Sequence, residues 1–260
     1  MRLFSRRPFL IGVVHLRPLP GSPRHRDSVE RILARALADA RALASGGVDA
    51  VIVENFGDAP FFPGPVPPET VASFGILVRE IRRALRIPVG VNCLRNDARS
   101  AIGIAAAAGA AFVRVNVHTG AAAACEGILA GSAHETLRAR EALRLGTKIL
   151  ADVHVKHASP LGASDLPVAA RDAAYRGLAD ALVVTGPATG SPVDLDDLRA
   201  VRRAVPDRPL LAGSGVSVEN AADMFAVADG AIVGTALERG GITGNPVDPA
   251  RVRAFVAAAR

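Results

Sequence analysis

The residues best suited to chemistry in this 260-residue chain stand at the ends of short apolar runs: His15, Glu54 with Asn55, Asn92, Asn116 with His118, and the series Asp152, His154 and Lys156. Carboxylates held among cations can serve as acids or bases, and Lys or His can orient anionic groups. In an extended strand the two-residue spacing puts Asp152, His154 and Lys156 on one face, opposite Val153 and Val155, so the three are expected to converge on one ligand. The competing reading is an internal ionic network in which Asp152 pairs with Lys156 or Arg114. His15, His118, His154 and His157 read individually as structural more readily than as catalytic or metal-binding. There is no HExxH helix, and the pattern assigns neither metal ligands nor a cofactor.

A second group is rich in glycine. Gly213-Ser214-Gly215 and Gly234-Thr235 follow two late apolar runs. Lacking Cβ atoms, such turns let backbone N–H groups approach an oxyanion, and a helix opening near Ser217 would add a favourable dipole. The two loops are therefore expected to bind phosphate, with tight turns alone as the alternative. The loop from Thr185 to Pro192, which contains Gly186, is expected to close the same mouth. Cys125, beside Glu126 in a small-residue loop, reads as an ordinary thiol. Lys156 reads as an ion-pair or phosphate contact in preference to a Schiff-base amine.

These residues need a scaffold that gathers the ends of many strands. Runs rich in Val, Ile and Leu recur at near-regular intervals: Phe9 to His15, Val48 to Glu54, Pro88 to Leu94, Ala111 to Val117, Lys148 to Val155, Ala181 to Thr185, Pro209 to Ala212, and Gly230 to Gly234. Between them lie segments with helical spacing. Asp27 and Glu30 stand at capping-box spacing, Asp97 opens an Ala-rich helix ended by Gly109, Ser191 or Asp194 and then Ser217 open later helices, and Asp248-Pro249 opens the last. Eight βα units predict a single (β/α)8 barrel over residues 1–260, with a doubly wound sheet as the structural alternative. In such a barrel the reactive groups belong at the C-terminal ends of the strands.

Composition narrows the surroundings. Half of the residues are hydrophobic, the net charge is +6 and the pI about 10.5, which permits attraction to anionic metabolites, membranes or nucleic acid without choosing among them. Cys93 and Cys125 form no disulfide framework. Arg2, Arg6 and Arg7 precede an apolar run, but His15 and Arg17 end it too early for a signal peptide, and the stretch from Ala101 to Val113 is too short to span a bilayer. A cytoplasmic, homo-oligomeric protein is expected, with peripheral membrane attachment as a variant. The basic stretch from Arg79 to Arg86 reads as a solvated helix face, and no nucleic-acid partner is expected.

Several segments together carry a resemblance that runs from Phe9 to Ala257: IGVVHLRPLPGSPRH (Ile11 to His25), GGVDAVIVENFGDAPF (Gly46 to Phe61), VNCLRNDARSA (Val91 to Ala101), VRVNVHTG (Val113 to Gly120), AHETLRAR (Ala133 to Arg140), ILADVHVKHASPLG (Ile149 to Gly162), ATGSP (Ala188 to Pro192) and GSGVSVENA (Gly213 to Ala221). In these the chain resembles the BtpA/SgcQ family. The resemblance implies a TIM-like barrel; members are described both as photosystem I biogenesis factors and as candidate nucleosidases. A nucleosidase-type hydrolysis would use Glu54 or Asp152 to activate water or stabilise positive charge on a sugar, Asn92 and Asn116 to hold hydroxyls, and Lys156 with the GSG loop to hold phosphate. The implied ligand is phosphorylated or ribosyl-containing; the alternative is a noncatalytic assembly factor. One departure stands out: where the family usually shows Thr-Asp-Gln-Gly, this chain has Ala124-Cys125-Glu126-Gly127, and Ala130 replaces a common acid. Glu126 is the residue that could substitute for the missing carboxylates.

Overall fold

The computed structural model describes residues 3–4, 6–162, 165–188 and 190–260. Eight parallel strands close into a barrel: β1 (Phe9–His15), β2 (Ala50–Glu54), β3 (Val89–Asn92), β4 (Phe112–Val115), then β7 (Lys148–Val153), β9 (Ala181–Val184), β10 (Leu210–Ala212) and β11 (Gly230–Val233), which returns to β1. The missing numbers belong to a small antiparallel sheet outside the barrel, made of β5 (Ala121–Ala124), β6 (Gly127–Ala130) and β8 (Ala158–Pro160). The connecting helices are α1 (Val29–Gly46), α2 (Pro68–Ala84), α3 (Ala98–Ala108), α4 (Ala133–Ala142), α5 (Leu166–Arg171), α6 (Leu195–Ala204), α7 (Ala221–Phe225) and α8 (Pro249–Ala259).

Period-two alternation divides the apolar residues between two cores. Phe9, Ile11 and Val13 of β1 point inward with Ala50, Ile52, Phe112, Leu150, Val183, Leu211 and Ile232, filling the barrel. Leu10 and Val14 of β1 point outward and pack with Ile32, Leu43, Phe74, Leu77 and Ile102 of the helices. Both faces of the barrel strands are thus largely buried, which is why their runs read as continuously apolar.

Helix ends follow local chemistry. Asp97, Asp194 and Asp248 cap α3, α6 and α8 as expected, and Gly109 closes α3 in a left-handed conformation with φ 74°. The cap of α1 is Ser28, which accepts from the Arg31 N–H, whereas Asp27 turns to the Arg17 guanidinium at 2.8 Å. The helix expected at Ser217 begins instead at Ala221 and runs five residues. The Asn220 side chain takes over residues 217–220, its Oδ1 accepting from Ser217 N at 2.8 Å and its Nδ2 donating to Gly215 O at 2.8 Å. Asp165 caps α5, which is followed by a π turn over Asp172–Arg176. The β5–β6 hairpin has no counterpart in the sequence reading, because a run of alanines carries no alternation of polarity.

Two glycines make opposite tests of this packing. A Cβ on Gly230 would collide with the main chain of Phe9 on the neighbouring strand, whereas one on Gly75, in the middle of α2, would meet nothing. Gly230→Ala is expected to lower stability by at least ~1–3 kcal/mol through overpacking, and Gly75→Ala to raise it by about 0.5–1 kcal/mol. Urea unfolding midpoints of the two variants measure both signs.

Candidate functional site

The inward-pointing series that fills the barrel changes character at its last position on each strand. After Phe9, Ile11 and Val13 comes His15; after Ala50 and Ile52 comes Glu54; after Phe112 comes Arg114; after Leu150 comes Asp152. Strand register aligns His15 with Glu54 and Glu54 with Asn92, so polar groups from neighbouring strands lie at one level.

Arg114 ties that level together. Its Nε donates to Asp152 Oδ1 at 2.8 Å and its Nη2 to Oδ2 at 3.0 Å, a bidentate pair with side chains 2% and 0% exposed. Its Nη1 reaches Glu54 Oε1 at 3.4 Å. Asn116 Nδ2 adds a bond to Asp152 Oδ2 at 3.0 Å, and Asn92 Nδ2 donates to Glu54 Oε1 at 3.2 Å. Burial pushes the Glu54 carboxyl up, but Arg114, His15, Lys156 and the Asn92 hydrogen bond together outweigh it and hold Glu54 below the ordinary glutamate range. Burial also opposes the Arg114 charge, and Asp152 and Glu54 more than restore it, leaving the guanidinium permanently protonated. Lys156 goes the other way. Burial first, and the nearby Arg114 charge second, lower its ammonium to about 8, with Glu54 and Asp152 offsetting only part.

Above this level opens a cavity of about 240 Å³. Its walls include Val13, His15, Glu54, Arg114 and Lys156 together with Gly213, Ser214, Gly215, Gly234 and Thr235. The two glycine turns therefore line the same space as the polar cluster. Gly234 is glycine because a Cβ there would press on the His15 ring, 2.9 Å from Cε1. Ser214 is buried, and its Oγ has no hydrogen-bond partner among the described residues. His15 is oriented from behind: its Nδ1 lies 2.8 Å from Glu238 Oε1, whose other oxygen accepts from Gly244 N at 2.9 Å.

Other expected members of the site are elsewhere. Asp152 and Lys156 both belong to the central cluster, but His154 does not share their face. The strand ends at Val153 and His154 adopts φ 53°, which breaks the alternation and turns the imidazole into a separate cleft with Thr119, Pro160 and Asp165. Asp152 itself is spent on Arg114 and Asn116 and lines none of the cavity. Asn92 and Asn116 likewise bind carboxylates rather than the open space. Gly186 lies outside the cavity as well; its lack of a Cβ admits the backbone of Ser191 and Pro192, and Gly190 is the residue of that loop on the cavity wall. Thr189 and Arg2 fall outside the described residues. Cys125 is exposed in the β5–β6 turn, while the neighbouring Glu126 carboxylate folds inward to 3.8 Å from Arg95 Nε.

The Asp152–Arg114 pairing is the competing ionic-network reading of the sequence; what that reading lacked is the further reach of Arg114 to Glu54, although the alternation Phe112, Arg114, Asn116 beside inward Phe112 could have found it. The sequence reading also missed Arg251 of α8, a wall of the cavity, and Glu238 in the connection after β11; nothing local reveals where either is placed. Among the described residues no helix is long and apolar enough to cross a membrane, and no three of His, Cys, Asp and Glu group as a metal site.

Comparison with known proteins places this arrangement. The BtpA family model matches residues 6–260. The chain is 46% identical over 249 residues to the photosystem I biogenesis protein BtpA of Synechocystis, covering 96% of this chain and 87% of that one. It is 46% identical over 257 residues to an uncharacterised protein of Thermococcus kodakarensis, covering 99% and 97%, and 34% identical over 250 residues to the sgc region protein SgcQ of Escherichia coli, covering 95% and 92%. Among solved structures it is similar in fold to a thiamine phosphate pyrophosphorylase from Pyrococcus furiosus (TM-score 0.62, 16% identity, 99% and 98% covered). A phosphoribosyl anthranilate isomerase from Thermus thermophilus gives a TM-score of 0.59 at 14% identity, with 96% of each chain covered.

The cluster makes two stability predictions. Asp152→Ala strands the buried Arg114 charge and is expected to cost roughly 3–5 kcal/mol in urea unfolding. Lys156→Met is expected to do the reverse. Because the folded-state value near 8 lies below the ordinary 10.5, charging Lys156 opposes folding fully below about pH 8, and that penalty fades as pH rises towards 10.5. Lys156→Met should therefore stabilise the chain by roughly 2–3 kcal/mol at neutral pH and by nothing above pH 10.5, read from unfolding curves at several pH values.

Proposed function

The chain belongs to the BtpA family, and from that premise we propose that it is a barrel enzyme acting on a small phosphorylated, ribosyl-type metabolite held in the cavity at the C-terminal ends of its strands. The observation that carries this reading is that the glycine turns after β10 and β11 line one cavity with Glu54, Arg114 and Lys156. The Gly213 N–H is bonded to Val184 O, so the anion would sit on the remainder of the glycine turns, where no Cβ shields the main chain, and on the unpartnered Ser214 hydroxyl. Because α7 is short and begins beyond the turn, the anion would rest on these turns and on the cations around the cavity, Arg251 included, rather than on a helix dipole.

The carboxylate available to the substrate is Glu54. It is ionised, positioned by Asn92 and Arg114, and part of the cavity wall. In a hydrolysis of an N-glycosidic bond, Glu54 would take a proton from the attacking water or stabilise positive charge developing on the sugar. Asp152 is assigned a different part: it holds Arg114 in place and does not meet substrate.

Inorganic phosphate is expected to raise the melting temperature of the purified protein, with Ser214→Val weakening the effect by crowding the turn; at a concentration a hundredfold above Kd the stabilisation is about 2.7 kcal/mol. A panel of nucleosides and nucleotides, with Glu54→Gln as the inactive control, tests the hydrolytic step. Turnover that persists undiminished in Glu54→Gln would remove Glu54 from this role, and absence of turnover across the panel would remove hydrolysis.

The 46% identity to the Synechocystis protein supports a second reading, a noncatalytic factor in assembling a membrane complex, in which the cavity binds a regulatory ligand or none. Co-sedimentation with anionic vesicles at physiological salt distinguishes it: a protein that stays in the supernatant counts against this reading.

A further inference from the structure

The chain contains two lysines against 29 arginines. Lys148 lies at the surface, paired with Asp180 at 2.8 Å. Lys156 is on the wall of the cavity, and among the described residues its ammonium forms no ion pair. Its backbone is pinned on both sides: the N–H donates to Thr185 Oγ1 at 3.0 Å and the carbonyl accepts from the Arg95 guanidinium. The side chain is therefore delivered to the cavity from a fixed base.

Two other positions already supply what a cation alone would do there. Arg114 provides permanent positive charge, and the glycine turns on the same cavity are the proposed phosphate seat. An amine differs from a guanidinium in one respect that matters in such a place: it can lose its proton and become a nucleophile, especially when desolvated beside another cation.

We propose that Lys156 is the nucleophile for a carbonyl substrate, attacking the carbonyl carbon of an open-chain aldose or ketose phosphate to form a protonated imine. The proposal rests on the phosphate-binding half of the proposed function and assigns the same cluster a further, carbonyl step that is tested separately from hydrolysis. Glu54 takes one proton from the ammonium, freeing the nitrogen lone pair. That pair forms the C–N bond while the carbonyl π pair moves to oxygen, and a second proton passes from nitrogen to that oxygen. The protonated Glu54 then returns its proton to the carbinolamine hydroxyl, which departs as water as the nitrogen lone pair closes the C=N bond. The sum is Lys–NH3⁺ plus C=O giving Lys–NH⁺=C plus H2O, with Glu54 restored as carboxylate. No oxidant or reductant enters. The lowering of Lys156 to about 8 supports the step, since roughly a tenth of the amines are then neutral at pH 7.

The test is reductive trapping. The full chain is incubated separately with glyceraldehyde 3-phosphate, dihydroxyacetone phosphate and ribose 5-phosphate, then reduced with borohydride and examined by intact and peptide mass spectrometry. One adduct per chain at Lys156 is expected, formed also by Lys148→Arg and absent from Lys156→Arg and Lys156→Met, whose melting curves report that they are folded. Its rate of formation should rise with pH through about 8 rather than through the 10.5 of an ordinary lysine. Inorganic phosphate should suppress it by competition. If phosphate stabilises the protein but no carbonyl compound is trapped, or if Lys148 is labelled as readily as Lys156, the nucleophile is overturned and the phosphate site stands. If phosphate neither stabilises nor competes and nothing is trapped, both fall.

Discussion

The Arg114–Asp152 pair is the constraint on which the mouth of this barrel depends. A guanidinium and a carboxylate sealed from water are tolerated only when each satisfies the other, and here the pairing is bidentate with Asn116 taking a further share of the carboxylate. The third branch of Arg114, towards Glu54, then sets the electrostatics of everything above it. It keeps Glu54 ionised, and its charge is one reason that the Lys156 ammonium is weakened.

Below that pair the barrel is an apolar plug, and above it is a cavity. The transition takes place within one step of each strand, from Ile52 to Glu54 or from Leu150 to Asp152. The plug and the helix-facing core supply the stability that a concentration of buried polar groups withdraws, which is the usual relation between a scaffold and its reactive end. The polar groups divide the labour accordingly. Asp152 and Asn116 bind each other, Asn92 binds Glu54, and these hold geometry, while Glu54, Lys156, Ser214 and the glycine turns line the space.

Much of the scaffold was legible because buried parallel strands leave a plain trace. Near-continuous apolar runs, each ending in polar residues and separated by helical spacing, indicated eight βα units, and the aspartates Asp97, Asp194 and Asp248 marked helix starts through a local bond between side chain and backbone. The errors have local reasons too. Asn220 outcompeted Ser217 for the turn after β10, and Ser28 outcompeted Asp27 at the start of α1, because either residue type can cap and only geometry selects one. The β5–β6 hairpin escaped notice since the four alanines of β5 mark neither face.

The candidate site divides along the same line. Residue order was enough to say that Glu54, Asp152, Lys156 and the two glycine turns end strands of one barrel, because alternation and strand polarity are local properties of the chain. Which of these groups touch was decided by closure of the sheet, which brings β2, β4 and β7 around one centre and lets Arg114 choose Asp152 and Glu54 as partners. His154 shows the limit most directly: two residues from Asp152 it ought to share its face, yet a single left-handed backbone step sends it to another cleft. Spacing along a chain predicts direction only while the strand lasts, and where it stops is set by the packing of loops that lie far away in sequence.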